Sequence, residues 1–148
     1  MSHYHVSEDP IVMRPVATAI GTSYDASPLA FACNDFNQLI LECDLSLATA
    51  TDVRIQLEEA NPARGPQGAY IAPAASDWFT VTVADSASAT AAGVIESLVY
   101  RQLEIVLPAT GRYTLAFPLN YKFVRVKAKT TGGPGATTLK INGIFGKV

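Results

Sequence analysis

The sequence is short of charge, and it has no long apolar run. Its 148 residues include 16% charged side chains and a formal net charge of −2, whereas soluble proteins average about 25% charged residues. A dedicated nucleic-acid binder is normally strongly basic, so the composition argues against nucleic acid as a partner. No stretch of about 18 apolar residues occurs, so we expect no membrane-spanning helix and no membrane partner.

The N-terminus lacks the basic start and the apolar stretch of a secretory signal. We therefore expect a protein made in a cytoplasm, where disulfides are rare. There are two cysteines, Cys33 and Cys43, and both lie in apolar, strand-like stretches. We predict that they are buried free thiols. A disulfide remains the alternative if their strands are adjacent.

Residues for catalysis or for binding a cofactor are also scarce. A Ser-His-Asp site needs a histidine inside the fold, but the two histidines, His3 and His5, lie near the N-terminus. No nucleophile elbow, phosphate loop or Cys-x-x-Cys motif occurs. We expect a protein with no enzyme activity, no catalytic residue, no cofactor and no metal site. Carboxylates that could pair for glycoside hydrolysis are predicted to be solvated instead: Glu42, Asp44, Glu58, Glu96 and Glu104.

What the sequence does contain is a series of short segments in which apolar and polar residues alternate. This period of two is typical of strands with one buried and one wet face. The segments are separated by turns rich in Gly, Pro, Ser and Asn, a pattern typical of a β-sandwich or barrel. The predicted strands are 15–20, 29–33, 38–45, 52–59, 78–83, 102–107, 112–117, 121–129 and 139–142, with 69–71 as a further short candidate.

We therefore predict an all-β fold, a single-domain antiparallel β-sandwich that is jelly-roll-like and has about eight or nine strands. Residues 1–12 are predicted to be an extended N-terminal arm, which could reach a neighbouring subunit, and residues 13–148 the sandwich domain. Residues 84–93 form a Ser/Ala/Thr-rich loop, and the period of residues 94–100 is ambiguous.

The last quarter of the chain reads as a closing hairpin. Residues 121–129 and 139–142 both alternate, with a Gly-Pro loop between them in which glycines supply positive φ. If Val126 pairs with Ile141, then Lys127 lies opposite Lys140 and the outer face is crowded with cations. Like charges opposite each other are unfavourable. These side chains are therefore either solvated or offered to an acidic partner, and the candidate partner-binding residues are Arg125, Lys127, Lys129 and Lys140.

A set of short motifs runs in order through residues 30–148. They are DFNQLIL at 35–41, ATATDVRIQLEE at 48–59, the Trp78-Phe79 pair, GRYTL at 111–115, YKFVRVK at 121–127, TGG at 131–133 and LKI at 139–141. In this order they resemble small jelly-roll β-sandwich proteins of tailed-bacteriophage virions, of the head decoration or cement kind. The closing segment is also similar to galactose-binding-like and carbohydrate-binding sandwiches.

The resemblance implies a non-enzymatic structural protein that binds the outer surface of a phage head and stabilises it. Its partners would be the major capsid protein and neighbouring copies of itself in a homo-oligomer, within a virion assembled in the host cytoplasm. The alternative is a carbohydrate-binding module of a tail or adhesion structure, with a saccharide as ligand. Such a module should be monomeric and have a groove lined by rings, for which Tyr70, Trp78, Tyr100 and Tyr121 are available.

Overall fold

Two antiparallel sheets, packed face to face, make up the protein. The computed structural model describes residues 6–7, 9–62, 71–81 and 104–147, and the predicted all-β sandwich is confirmed. No helix in these ranges is long and apolar enough to cross a membrane. The described strands are β1 Val6–Ser7, β2 Ile11–Arg14, β3 Ala30–Ala32, β4 Gln38–Ser46, β5 Asp52–Ala60, β6 Trp78–Val81, β7 Ile105–Leu107, β8 Gly111–Pro118, β9 Phe123–Thr131 and β10 Thr138–Lys147, with one 3-10 turn at Ala75–Asp77.

The strands divide between two sheets. In sheet A, β10 and β4 lie at the centre, with β8 beyond β4 and both β1 and β2 on the far side of β10. In sheet B, β9 and β5 lie at the centre, with β3 beyond β9 and both β6 and β7 on the far side of β5. Each central pair is hydrogen-bonded along nearly its whole length, and the two pairs form the middle of the sandwich.

The predicted inward faces of these central strands are confirmed. On β4, the residues Leu39, Leu41, Cys43 and Leu45 are buried, while their neighbours in sequence are more exposed. The same alternation holds along β9, along β10 as far as Phe145 and along β5 as far as Leu57, because each strand places one face against the opposite sheet. The core includes Val53, Ile55, Leu57, Val124, Val126, Leu139, Ile141 and Phe145 from these strands and Phe117 from β8.

The predicted closing hairpin is wrong. β9 pairs with β5 and β3, whereas β10 pairs with β4, β1 and β2, so the two segments lie in different sheets. Val126 lies opposite Leu57, and Ile141 lies opposite Cys43. Alternation shows which face of a strand is buried, but it does not show which strand is the neighbour. Residues 123–131 and 138–147 each bury one face, although they lie in separate sheets.

The Gly-Pro loop therefore crosses from one sheet to the other. The predicted positive φ is confirmed at Gly132 (79°) and at Gly135 (54°). At Gly135 a side chain would also overlap the hydroxyl of Thr49, so this position needs glycine for both conformation and space. The Thr137 N–H donates to the Pro134 carbonyl at 3.0 Å and closes the turn before β10.

The N-terminal prediction needs correction. The first long strand is Ile11–Arg14 rather than residues 15–20, because Pro15 begins a turn that the Thr18 N–H closes on the Pro15 carbonyl at 3.1 Å. Residues 6–7 and 11–12, which the sequence predicts to be part of the arm, pair with β10 at the edge of sheet A. The arm is therefore partly a component of the sandwich.

A clasp of charged groups joins the two sheets near this edge. The Arg14 guanidinium, 3% exposed, donates to the Asp25 carboxylate at 3.0 and 3.2 Å and to the Leu139 carbonyl at 2.8 Å. Asp25 in turn accepts from the backbone N–H of Ala128 on β9 at 3.1 Å. Arg14 lies on β2 of sheet A and Ala128 lies on β9 of sheet B, so the Arg14–Asp25 ion pair links the two sheets.

Some residues named in the sequence analysis lie outside the described ranges. These are His3 and His5, the loop at 84–93, the segment 94–100, and parts of the predicted strands 69–71, 78–83 and 102–107. Ile71, the described residue of the short candidate 69–71, is not in a strand.

Candidate functional site: charged faces of the sandwich

The outward side chains of β9 lie on the outer face of sheet B, next to carboxylates of β5. Arg125 lies opposite Glu58, and its Nε is 2.8 Å from Glu58 Oε1. The Nζ of Lys127 is 2.9 Å from the same oxygen. Glu58 is only 7% exposed, so the prediction that it is a solvated carboxylate is wrong. Glu58 forms ion pairs with both Arg125 and Lys127, two of the cations that the sequence predicts to crowd one face of the sheet.

A second carboxylate, Glu104, also pairs with two cations farther along this face. Arg54 Nη1 lies 2.7 Å from Glu104 Oε1, and Lys129 Nζ lies 3.9 Å from Oε2. The Tyr24 hydroxyl donates to the same carboxylate. The hydrogen bond from Tyr24 and then that from Arg54 hold the pKa of Glu104 below its ordinary value. Burial, followed by the bond to Glu104, raises the pKa of Tyr24, so this group donates at neutral pH.

Two aromatic rings complete this face. The guanidinium carbon of Arg125 lies 4.3 Å from the centre of the Trp78 ring, and Lys129 Nζ lies 4.7 Å from the centre of the Tyr24 ring. Both are cation–π contacts. Trp78 is therefore an internal support for Arg125. Among the described residues, the ion pairs of this face join four cations, Arg54, Arg125, Lys127 and Lys129, to three carboxylates, Asp52, Glu58 and Glu104.

The fourth predicted partner-binding residue, Lys140, is on the other sheet. It lies on the outer face of sheet A, opposite Asp44 of β4 and not opposite Lys127. The structure thus brings Arg125, Lys127 and Lys129 together and separates Lys140 from them. The predicted like-charge pairing does not occur, because Lys127 faces Gln56.

Lys140 lines a groove of about 390 Å³ on the outer face of sheet A. The register places its outward side chains in two neighbouring rows across β10, β4 and β8. One row is Lys140, Asp44 and Arg112, and the next is Asn142, Glu42 and Thr114. We call these six residues the sheet A groove.

The charges of the sheet A groove differ from those of sheet B in having no ion partner among the described residues. No oppositely charged group among the described residues lies within 4 Å of Glu42, Asp44, Arg112 or Lys140. Asn142 Oδ1 is inaccessible to solvent and accepts no hydrogen bond from the described part of the chain. A buried acceptor without a hydrogen bond costs stability. This acceptor belongs to a residue that lines the groove.

The described residues do not line the groove with stacked rings of the kind expected for a sugar site. The ring among its lining residues belongs to Tyr113, whose hydroxyl donates to the Ala109 carbonyl at 2.7 Å. Of the other candidate rings, Trp78 packs under Arg125, and Tyr121 packs edge-on against Phe79 at 4.7 Å between centres. Tyr70 and Tyr100 lie outside the described ranges.

A buried carboxylate, Glu59, was missed by the sequence reasoning. It is fully buried, and neither oxygen completes a hydrogen bond with a described residue. Burial raises the pKa of the Glu59 carboxyl to about 7. The signal was available, because Glu59 has the same parity on β5 as the buried Val53, Ile55 and Leu57.

Both cysteines are buried free thiols, as predicted. Burial raises the pKa of Cys33 to about 12, with a further contribution from the charge of Glu59. Burial alone raises the pKa of Cys43 to about 12. Both thiols are therefore protonated at neutral pH and behave as small apolar groups. Among the described residues, no cluster of three His, Cys, Asp or Glu side chains is arranged to hold a metal ion.

Comparison of the chain with protein-family models, with curated proteins and with solved structures found no match.

Proposed function

We propose that this protein is a non-enzymatic structural protein of a virion, a capsid decoration or cement protein that binds the outside of a phage head. The motif order described above supports this class of protein. The architecture supports the mechanical part of the task, since a protein that strengthens a shell must transmit force without opening.

Two features suit the protein to carrying load. The long central strand pairs run from Thr138 to Gly146 on β10 and from Asp52 to Ala60 on β5, so each sheet is held by a continuous ladder. The Arg14–Asp25 clasp joins the two sheets at the edge where β2 is attached. A rigid element of this kind also limits the entropy lost when the protein binds a surface.

The observation that carries the proposal is the distribution of charge between the two outer faces. Sheet B neutralises its own cations through Glu58 and Glu104. The sheet A groove keeps charges of both signs with no ion partner in the described chain. A surface of this type is suited to adhesion to another protein, because opposite charges set register and select the partner.

The proposal is tested by sedimentation. Purified protein is mixed with heads of candidate tailed phages that lack their own decoration protein, and bound protein is measured at increasing ratios. We expect co-migration that saturates at a fixed stoichiometry, together with greater resistance of the heads to heat. Protein that stays in the supernatant at every ratio, with every head tested, would refute the proposal. Analytical ultracentrifugation of the free protein tests the expected homo-oligomer.

A further inference from the structure

We propose that the sheet A groove, and not the cation row of β9, is the surface that binds the partner protein, and that it takes up a polypeptide segment in which a basic side chain lies between acidic ones. This inference rests on the proposed function for the identity of the partner. It reassigns the binding surface from the residues that the sequence alone singled out.

The cations of β9 are poorly placed to bind a partner because they already hold carboxylates of their own. The side chains of Arg125 and Lys127 are 17% and 21% exposed, and both contact Glu58 Oε1. A partner that recruited them would have to break these contacts and leave a nearly buried Glu58 without its cations. Removing one partner of a buried charge pair is strongly unfavourable, so the gain from a new acidic contact is largely cancelled.

The groove offers the opposite situation. Glu42, Asp44 and Arg112 are exposed, and Lys140 is partly exposed, with no ion partner among the described residues that binding would have to displace. A ligand with charges complementary to these four groups gains ion pairs without disrupting existing ones.

The order of the charges defines the ligand. Both carboxylates lie on the central strand β4, whereas the cations Arg112 and Lys140 lie on the strands to either side. The complementary surface is therefore a basic group, best a guanidinium that can donate to both carboxylates, flanked by acidic groups. A polyanion would meet two carboxylates at the centre. A second copy packed β4 against β4 would place acid on acid.

The row next to the charged ones is apolar and extends the contact. Ile144, Ile40 and Ala116 lie side by side across the same three strands, and none of them is buried. A polypeptide provides both apolar and charged side chains at the spacing of a strand, so it can cover this row and the groove together.

The first test uses charge reversal with a matched control. The groove variant carries Glu42→Lys and Asp44→Lys, and the control carries Asp9→Lys and Asp35→Lys, which changes the net charge equally at exposed positions outside the groove. We expect the groove variant to lose at least about tenfold in affinity for heads and the control to change less than about twofold. A milder variant, Glu42→Gln with Asp44→Asn, provides the same test if the reversed one does not fold.

The outcomes separate the two claims. If wild-type protein binds heads and the groove variants bind equally well, the groove inference is wrong and the proposed function stands. If wild-type protein binds no head, the function fails, and the groove is tested directly with two soluble peptides, Asp-Ala-Arg-Ala-Asp and its charge-reversed form Lys-Ala-Asp-Ala-Lys. Amide shifts in NMR spectra at Glu42, Asp44 and Thr114 with the first peptide only support the groove. No shift, equal shifts with both peptides, or shifts with a neutral saccharide instead would overturn it.

Discussion

Glu58 on β5 and Arg125 on β9 lie directly opposite each other, and Glu58 Oε1 is 2.8 Å from Arg125 Nε. The same oxygen is 2.9 Å from Lys127 Nζ. One carboxylate therefore allows two cations to occupy alternate positions of a single strand. Without it, sheet B would carry adjacent positive charges at its centre.

The first prediction follows from this arrangement. Glu58→Gln should lower the free energy of unfolding by about 1–3 kcal/mol, because Arg125 and Lys127 then repel each other in a partly buried setting. Urea denaturation at neutral pH measures the change. Asp44→Asn is the control, since Asp44 is exposed and has no ion partner in the described chain, and it should change stability by less than about 0.5 kcal/mol. Equal effects of the two variants would contradict the role of Glu58.

Alternation along single strands was enough to predict the fold class and most of the buried face. It identified Leu39, Leu41 and Leu45 on β4 and Val124 and Val126 on β9 as inward. This works because the side-chain period in a strand is local and burial follows from it directly. The same reasoning placed Arg125, Lys127 and Lys129 correctly on one outer face.

Strand neighbours could not be predicted in the same way. β9 and β10 are consecutive, yet each pairs with a strand from the first half of the chain. Such pairing depends on contacts between residues far apart in sequence, and nothing in the pattern of residues 123–147 distinguishes β4 from β5 as a partner. For this reason the sequence could not show that Lys140 lies in a different sheet from Lys127, or whether either charge is paired.

The second prediction concerns the buried Glu59. Its carboxyl has a pKa of about 7 in the folded protein against an ordinary value of 4.5, so the folded state binds the extra proton between these values. Stability should therefore fall as pH rises from about 4.5 to about 7 and remain lowered above that range. Glu59→Gln removes this dependence. The variant should be more stable than wild type at about pH 8, by up to about 3 kcal/mol, and should lose this advantage at about pH 5.

Urea denaturation across this pH range measures the difference between variant and wild type, which cancels the titration of the other groups. Glu42→Gln, which makes the same change at an exposed position on the outer face of sheet A, is the control measured in the same way. If the difference in free energy of unfolding between Glu59→Gln and wild type does not change with pH, then folding does not raise the pKa of Glu59.

The third prediction concerns Gly143 on β10, where β2 comes close to the strand. A Cβ at this position would overlap Met13 Sδ and lie 3.2 Å from Leu39 Cδ1. Gly143→Ala should therefore push Met13 from its buried place and cost about 1–3 kcal/mol. Since Met13 belongs to β2, the N-terminal strand should also be released, and residues before Pro15 should be cut faster in limited proteolysis.

Gly133→Ala is the matched control for Gly143. A Cβ at Gly133 meets no atom within 4 Å, and its φ is not positive, so the substitution should be neutral or slightly stabilising. If Gly143→Ala is as stable and as resistant to protease as Gly133→Ala, then β2 is not held against Gly143 as described.

The fourth prediction tests the clasp between the sheets. Arg14 donates to Asp25, to the Leu139 carbonyl and to the Ala19 carbonyl at 3.1 Å, which requires a planar group with several N–H donors. Arg14→Lys keeps the charge but cannot reproduce this geometry, so it should lower the free energy of unfolding by about 2 kcal/mol. Arg112→Lys is the control, because it makes the same substitution at an exposed position of β8 outside the clasp, and it should have little effect.

Hydrogen exchange gives a second readout, because the Ala128 N–H donates to Asp25 at 3.1 Å and should lose protection in the Arg14→Lys variant. Unchanged protection of this amide together with unchanged stability would mean that the sheets are held by their apolar core alone.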